Sequence, residues 1–258
     1  MLNSRPARAF LPSESSTPTK PPAGEPVRLH LAGFELILHR SGAAYLPALQ
    51  TWLVADAHFG KAVSFRLLGV PVPQGTTRAA LEQLSSLLTE QDTAAIVFLG
   101  DFLHSARAHA SGTQAALASW RASHQDLDLW LVRGNHDKRA GDPPAALNMR
   151  VVDEPLVLQG ASSRLALCHH PKSVAGAYVL AGHWHPCITL AGRAHDRLRL
   201  PCFWFGEDSG ALPGSAVGVL PAFGAFTGTH PIKRRPGDRV FAIAGQVVSE
   251  VLAQKRCG

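Results

Sequence analysis

The sequence has few cysteines and no long apolar run, and these absences exclude whole classes of protein. Its 258 residues include four cysteines, none in the C-x-x-C pair that is typical of structural zinc sites. Scattered cysteines are usually buried thiols. No apolar run approaches the roughly 18 residues that a membrane-spanning helix needs. We therefore expect neither a structural zinc site nor an association with a membrane.

We also expect no secretory signal, because no apolar stretch follows Arg5 and Arg8. The expected location is therefore the cytoplasm. Residues 1–26 contain six prolines, four serines and two threonines but few large apolar side chains, which predicts a disordered tail. The remainder shows no repeat and no domain break. We expect residues 27–258 to form a single domain.

Charged residues make up only 17% of the chain. Positive side chains outnumber negative ones, so the net charge at pH 7 is +6. A positive surface concentrates anions, so this charge favours a polyanionic partner, although it is a weak signal alone. The 46% of hydrophobic residues is typical of a globular protein with a substantial core. The 13 histidines are an unusually large number.

The histidines belong to a series of polar patches, each of which directly follows an apolar run. The apolar runs are residues 52–55, 96–99, 129–132, 165–168 and 178–181. The patches are Asp56-Ala-His58, Gly100-Asp101, Gly134-Asn135-His136-Asp137, His169-His170 and Gly182-His183-Trp184-His185. Ligands collect where the strands of an α/β sheet end, and side chains two apart on an extended segment point the same way. The pattern therefore predicts one metal centre at a sheet edge.

Aspartate, asparagine and histidine together suit a pair of divalent ions. Such a pair makes water a nucleophile at neutral pH and neutralises the charge of a phosphate ester. It needs mixed oxygen and nitrogen ligands and a bridging carboxylate. The residues alone thus favour a two-metal phosphoesterase.

The rest of the chain predicts the architecture around this centre. Helical spacing predicts helices at about residues 77–91 and 113–124, whereas residues 57–75 and 141–144 are expected to be loops. Short strands separated by glycine and proline fill the second half. Strand–helix units followed by strands indicate an α/β fold. We expect a four-layer αββα sandwich of two mixed β-sheets flanked by helices.

The series D-x-H, G-D, G-N-H-D, H and G-H-x-H, in this order, resembles the calcineurin-like metallophosphoesterase superfamily. The resemblance implies two groups of metal ligands that share a bridging aspartate. The first group is Asp56, His58, Asp101 and His185, and the second is Asp101, Asn135, His169 and His183.

The same resemblance implies roles for residues beside the ligands. His136 resembles a histidine that contacts the scissile phosphate and protonates the leaving oxygen. In the family the ligand lies two residues before a proline, so Pro171 selects His169, which leaves His170 beside the metals or on the substrate side. Asp137 is expected to accept structural hydrogen bonds.

His104 indicates which branch of the superfamily the chain resembles. Protein phosphatases of the superfamily have G-D-x-x-D-R, where this chain has Gly100-Asp-Phe-Leu-His104, and a histidine there resembles the DNA-repair nuclease branch. Its role is open between supporting His136 and contacting substrate. Further stretches, among them residues 56–66, 70–75, 198–205 and 220–228, resemble the ligase-associated DNA damage response endonucleases.

That family implies a manganese-dependent DNA endonuclease and phosphodiesterase that works alongside an ATP-dependent DNA ligase and a helicase. Lys61 and Arg66 are the expected phosphate contacts. The ligands would also accept iron, cobalt, nickel or zinc. Two alternatives remain: a phosphodiesterase for cyclic nucleotides or other small phosphodiesters, and a metal-bearing repair scaffold without activity.

Overall fold

The computed structural model describes residues 26–73, 75–160, 163–191, 197–206, 216–225 and 227–252. The predicted tail, apart from Pro26, lies outside these ranges. None of the described helices is long and apolar enough to cross a membrane.

Apolar segments of the first half form a sheet of seven strands within the described residues. Their order in the sheet follows the chain: β1 (Val27–Leu31), β2 (Phe34–Leu38), β3 (Ala44–Leu46), β4 (Thr51–Val54), β5 (Ala95–Phe98), β6 (Asp128–Val132) and β7 (Arg150–Val152). Strands β1 to β4 pair antiparallel, and β4 to β7 pair parallel. The parallel strands bring their carboxyl ends to the same edge.

A second sheet collects nine strands from the described part of the second half. They are β8 (Leu156–Gln159), β9 (Arg164–Leu167), β10 (Tyr178–Ala181), β11 (Pro186–Ala191), β12 (Arg197–Phe205), β13 (Val217–Val219), β14 (His230–Pro231), β15 (Arg239–Ala244) and β16 (Val247–Glu250). Strand β10 lies parallel to β9 and β13, whereas β12 pairs antiparallel with β11, β13 and β15. The prediction of two mixed sheets is confirmed.

The two sheets pack face to face through alternate side chains of their strands. Leu53 and Val97 of the first sheet share a buried cluster with Leu167 and Leu180 of the second. Successive side chains of a strand point to opposite faces, so the neighbouring Trp52 and Ile96 face outward toward the helices. Each central strand is therefore buried on both faces.

Four α-helices are described, and their apolar faces cover the outer side of the first sheet. They are α1 (Lys61–Leu67), α2 (Thr76–Glu90), α3 (Ser111–Ala122) and α4 (Asn135–Ala140). Leu84 of α2 and Leu117 of α3 pack beneath the sheet. On the far side of the second sheet, Val174 of a connecting loop packs against Val179. The helical layer within the described residues thus lies on the first sheet.

Helices α2 and α3 lie within two residues of the predicted segments, but the prediction of a loop at α1 is wrong, and α4 was not predicted. Helix α1 begins after Gly60, which has a left-handed φ of 78°. Helix α4 begins because Asp137 accepts a hydrogen bond from the backbone N–H of Gly134 at 2.9 Å, as in a helix cap. Both helices are about two turns or less, too short for a readable apolar period.

Leu84 provides a test of this packing, because it is fully buried under the first sheet. Leu84→Ala should lower the free energy of unfolding by about 2–5 kcal/mol, since it removes buried methyl groups and leaves a cavity. The control Leu68→Ala, at a side chain that is 66% exposed, should cost about 0.5 kcal/mol or less. Equal losses in urea unfolding would contradict the packing.

Candidate metal centre

The ends of five strands bring the predicted ligands together at the common edge of the two sheets. Asp56 and His58 follow β4, Asp101 follows β5, Asn135 opens α4 after β6, His169 follows β9, and His183 and His185 follow β10. Three strands belong to the first sheet and two to the second. The centre therefore depends on the packing of one sheet against the other.

The backbone at these ligands is bent into an unusual conformation. Of the eight described non-glycine residues with positive φ, five are predicted ligands: Asp56 (53°), His58 (47°), Asp101 (50°), His183 (70°) and His185 (45°). The left-handed region costs a residue with a side chain about 1 kcal/mol or more. Such strain clusters where function requires a fixed geometry.

His169 is the centre of the second predicted ligand group. Its Nδ1–H donates to the backbone oxygen of Leu99 at 3.1 Å, so Nε2 of the neutral ring carries a lone pair. This Nε2 lies 2.8 Å from Asn135 Oδ1, 3.0 Å from His183 Nδ1 and 3.4 Å from Asp101 Oδ1. Four side chains thus bring nitrogen and oxygen atoms of the kinds that bind metals to one point.

The first group has the same character. His185 Nδ1–H donates to the backbone oxygen of Gly228 at 2.9 Å, so its Nε2 faces Asp56 Oδ1 at 3.4 Å. Both ring nitrogens of His58, together with Asp56 Oδ1 and His185 Nε2, are buried without a hydrogen-bond partner in the described part of the chain. The ligand atoms of Asp56, His58 and His185 lie within 4.8 Å of one another.

Asp101 lies between the two groups. Its Oδ1 accepts the backbone N–H of His136 at 2.8 Å and approaches His169, while Oδ2 lies 3.9 Å from His58 Nε2. The Asp101 side chain is only 3% exposed. One carboxylate is therefore shared by both groups, as a bridging ligand must be.

The donor set fits divalent cations, because buried atoms of the first group have no hydrogen-bond partner among the described residues and a cation would supply one. Metal ligands must be unprotonated, and burial lowers the pKa of both His58 and His169 below the ordinary value. A backbone carbonyl orients the free nitrogens of His169 and His185, which is the usual arrangement around a ligating histidine. The assignment of the seven residues as ligands remains a prediction.

His136 lies at the open side of the centre and is supported by His104. Its Nδ1–H donates to the backbone oxygen of His104 at 2.7 Å, so its Nε2 faces Asp101 Oδ2 at 3.9 Å. The two rings stack with centroids 5.0 Å apart. Burial, and then the charges of Lys61 and His136, lower the pKa of His104 to about 4. This contact favours the supporting role of His104.

The remaining predicted residues lie around this core. Asp137 is buried and accepts backbone N–H groups from Leu103 and Gly134, which is the structural role expected of it. Lys61 is half-buried, and its ammonium group interacts electrostatically with the carboxylates of Asp56 and Asp101. Arg66 instead is exposed and donates to the backbone oxygen of Pro73 at 3.2 Å, so its described contact joins helix α1 to the segment that follows it.

Sequence reasoning missed Glu154, whose carboxylate holds the His169–His170 turn through backbone and side-chain hydrogen bonds. Burial alone would raise the pKa of Glu154, but hydrogen bonds from Lys172, His170 and His169 lower it to about 2. Glu154 lies 15 residues before His169, and no motif marks it.

The glycines of the motifs make room for the ligands. A Cβ on Gly134 would lie 2.3 Å from Asp101 Oδ1, and a Cβ on Gly100 would lie 2.3 Å from His169 Nδ1. Neither distance is compatible with a side chain. The G-D and G-N-H-D motifs therefore include glycine because ligands from other strands occupy the space beside it.

Two packed mixed sheets with carboxylate, amide and imidazole ligands at their shared edge define a metallophosphoesterase. The chain is similar to the crystal structure of Pseudomonas putida nuclease MPE. The alignment covers 88% of this chain and 100% of the nuclease chain, with 39% sequence identity and a TM-score of 0.73. The chain therefore belongs to the calcineurin-like metallophosphoesterase superfamily, in the family of this nuclease. The resemblance recognised in its motifs is confirmed.

Other similarities are weaker. The E. coli phosphoesterase Yfce is 13% identical over 78% of this chain and 97% of its own, with a TM-score of 0.39. The Aquifex aeolicus protein of unknown function AQ665 is 20% identical over 52% of this chain and 77% of its own, with a TM-score of 0.36. No protein-family model and no curated protein matches the sequence.

Gly134→Ala tests the crowding at the centre. The new Cβ must displace Asp101, so Mn²⁺ affinity should fall by about tenfold or more, the range seen when support for a ligand is lost. Gly112→Ala in α3 is the matched control, because no heavy atom lies within 4 Å of its Cβ. Titration calorimetry on metal-free protein measures both, and equal affinities would contradict the geometry.

Proposed function

We propose that this protein is a metal-dependent phosphodiesterase that cleaves DNA as an endonuclease, using two divalent ions. The observation that carries the proposal is the position of the Asp101 carboxylate between two clusters of metal-ligand residues, 3.9 Å from His58 on one side and 3.4 Å from His169 on the other. The 39% identity to a nuclease supports it independently. Manganese is the proposed ion by family resemblance, since the oxygen and nitrogen ligands also suit neighbouring transition metals.

Divalent ions bound here would make water nucleophilic at neutral pH and neutralise charge on the phosphate. The chain's own residues have separate tasks. The seven side chains would hold the ions, and the Asp101 carboxylate, which lies between the two groups, would be available to both. His136, which is about one-third exposed, presents its Nε2 toward the open side of the centre. There it would donate a proton to the leaving oxygen or a hydrogen bond to the phosphate.

Positive and aromatic side chains beside the centre support a nucleic-acid substrate. Lys61 lies next to the ligands, and Lys138 and Arg139 are exposed on α4. Trp184, between two ligands in the chain, is 42% exposed. Cations track a phosphate backbone, and aromatic rings stack on bases. Arg133 contributes less, because it forms ion pairs with Asp142 and Asp153.

The proposed setting is DNA repair in the cytoplasm. It rests on the resemblance to ligase-associated endonucleases, which also suggests functional association with an ATP-dependent DNA ligase and a helicase. Physical contact with either enzyme is not part of the proposal.

Removing a ligand tests the proposed activity. Asp101→Ala and Asn135→Ala should reduce Mn²⁺-dependent nicking of plasmid DNA to the background rate, because each removes an oxygen ligand from the shared centre. Asp126→Ala, at an exposed aspartate outside the centre, should nick at the wild-type rate.

Undiminished nicking by both ligand variants would refute the two-metal mechanism. If the wild-type protein turns over cyclic nucleotides faster than DNA, it is a small-molecule phosphodiesterase. If it binds metal but hydrolyses neither, it is a scaffold.

His136→Ala tests proton donation. A general acid contributes about 10²–10⁴-fold, so kcat on DNA should fall by that factor. The loss should be at least about tenfold smaller on bis(p-nitrophenyl) phosphate, whose leaving group needs no proton. His30→Ala, at an exposed histidine of β1, is the control. Equal losses on the two substrates would show that His136 does not act as the acid.

A further inference from the structure

Two adjacent histidines follow β9, and the structure treats them differently. His169 has a side chain that is 0% exposed and lies inside the ligand cluster. His170 has a side chain that is 37% exposed, although its ligand atom also lies within 4.8 Å of those of His169 and His183. Something must hold this turn so that one ring, and not the other, enters the centre.

Glu154, in the connection between β7 and β8, makes four hydrogen bonds to this short segment. Its Oε2 accepts the backbone N–H groups of His169 and His170, each at 2.9 Å. Its Oε1 accepts His170 Nδ1–H at 2.9 Å and Lys172 Nζ at 2.8 Å. The Glu154 side chain is only 12% exposed, and both of its carboxylate oxygens accept hydrogen bonds from this turn.

These bonds fix both rings. The backbone of His169 is held from one side by Glu154, and its carbonyl oxygen accepts the N–H of Gly182 at 3.1 Å. Its ring is then directed between Leu99 and Asn135. The ring of His170 is tied by Nδ1 to the same carboxylate at the rim. His170 approaches no carboxylate of the centre within 4 Å among the described residues.

The geometry points to Glu154 as a positioning residue of the metal centre, which commits His169 to the second metal position and holds His170 outside it. Partners of this kind typically change metal affinity by about 10–100-fold when they are replaced. The inference rests on the proposed function, since it assumes that a metal binds at the group of Asp101, Asn135, His169 and His183.

Glu154→Gln keeps the size of the side chain but can preserve only one of the two pairs of hydrogen bonds, either the pair at Oε2 or the pair at Oε1. A carboxylate accepts hydrogen bonds on both oxygens, whereas glutamine has one acceptor oxygen and one NH₂ donor. In Glu154→Gln, either the two backbone N–H groups or the side chains of His170 and Lys172 therefore face another donor. A buried donor without an acceptor is unfavourable, so the turn must move.

The experiment is a Mn²⁺ titration of metal-free full-length protein by calorimetry, with melting temperatures measured in EDTA and in Mn²⁺. Glu154→Gln should weaken one of two binding steps by about 10–100-fold and reduce the increase in melting temperature that Mn²⁺ produces. Glu250→Gln is the matched control. Its carboxylate accepts two bonds from Arg239 on the β15–β16 hairpin, and both binding steps should stay at the wild-type values.

Two further variants separate the histidines. His169→Gln should lose one binding step, whereas His170→Gln should keep both affinities. If His170→Gln loses as much as His169→Gln, then His170 is a ligand and the inference is overturned. It is also overturned if Glu154→Gln lowers the melting temperature equally in EDTA and in Mn²⁺ with unchanged affinities, because the role is then structural only.

Failure of the proposed function would look different. A wild-type protein that binds two Mn²⁺ ions but cleaves no DNA refutes the nuclease and leaves the role of Glu154 intact. A wild-type protein that is active, with Glu154→Gln indistinguishable from it in metal binding, refutes the role of Glu154 alone.

Discussion

The convergence of buried nitrogen and oxygen atoms from the ends of five strands is the constraint on which the rest of this structure depends. Asn135 Oδ1 lies 2.8 Å from His169 Nε2, and Asp101 Oδ1 lies 3.4 Å from the same nitrogen. Buried polar atoms that lack partners are costly, and a bound cation would supply partners to this cluster. The left-handed backbone at five of the predicted ligands adds to this cost. The packing of the two sheets holds these residues in place, and cation binding would stabilise the same arrangement.

The two sheets contribute unequally to that arrangement. The first supplies the carboxylates and the amide from parallel strands, whose ends meet at the same edge. The second supplies imidazoles from the parallel pair of β9 and β10. Buried leucines of both sheets form a single cluster between them. The distance between the halves of the centre is therefore set by core packing.

The sequence was sufficient to predict which polar residues meet at the sheet edge and most of the strands, because both are local patterns. Each ligand follows an apolar run, and apolar alternation identifies strands such as β4 and β5. Helices α1 and α4 were missed because they are too short for a readable period. Glu154 and the carbonyl partners Leu99 and Gly228 were missed for another reason. Their contacts join residues far apart in the chain, and only the packed sheets bring them together.

Anomalous scattering at the manganese edge, from crystals grown with Mn²⁺, tests the shared centre most directly. We predict two peaks, one beside Asp56, His58 and His185 and one beside Asn135, His169 and His183, with Asp101 within ligand distance of both. A single peak, or two peaks of which only one contacts Asp101, would contradict the two-metal centre.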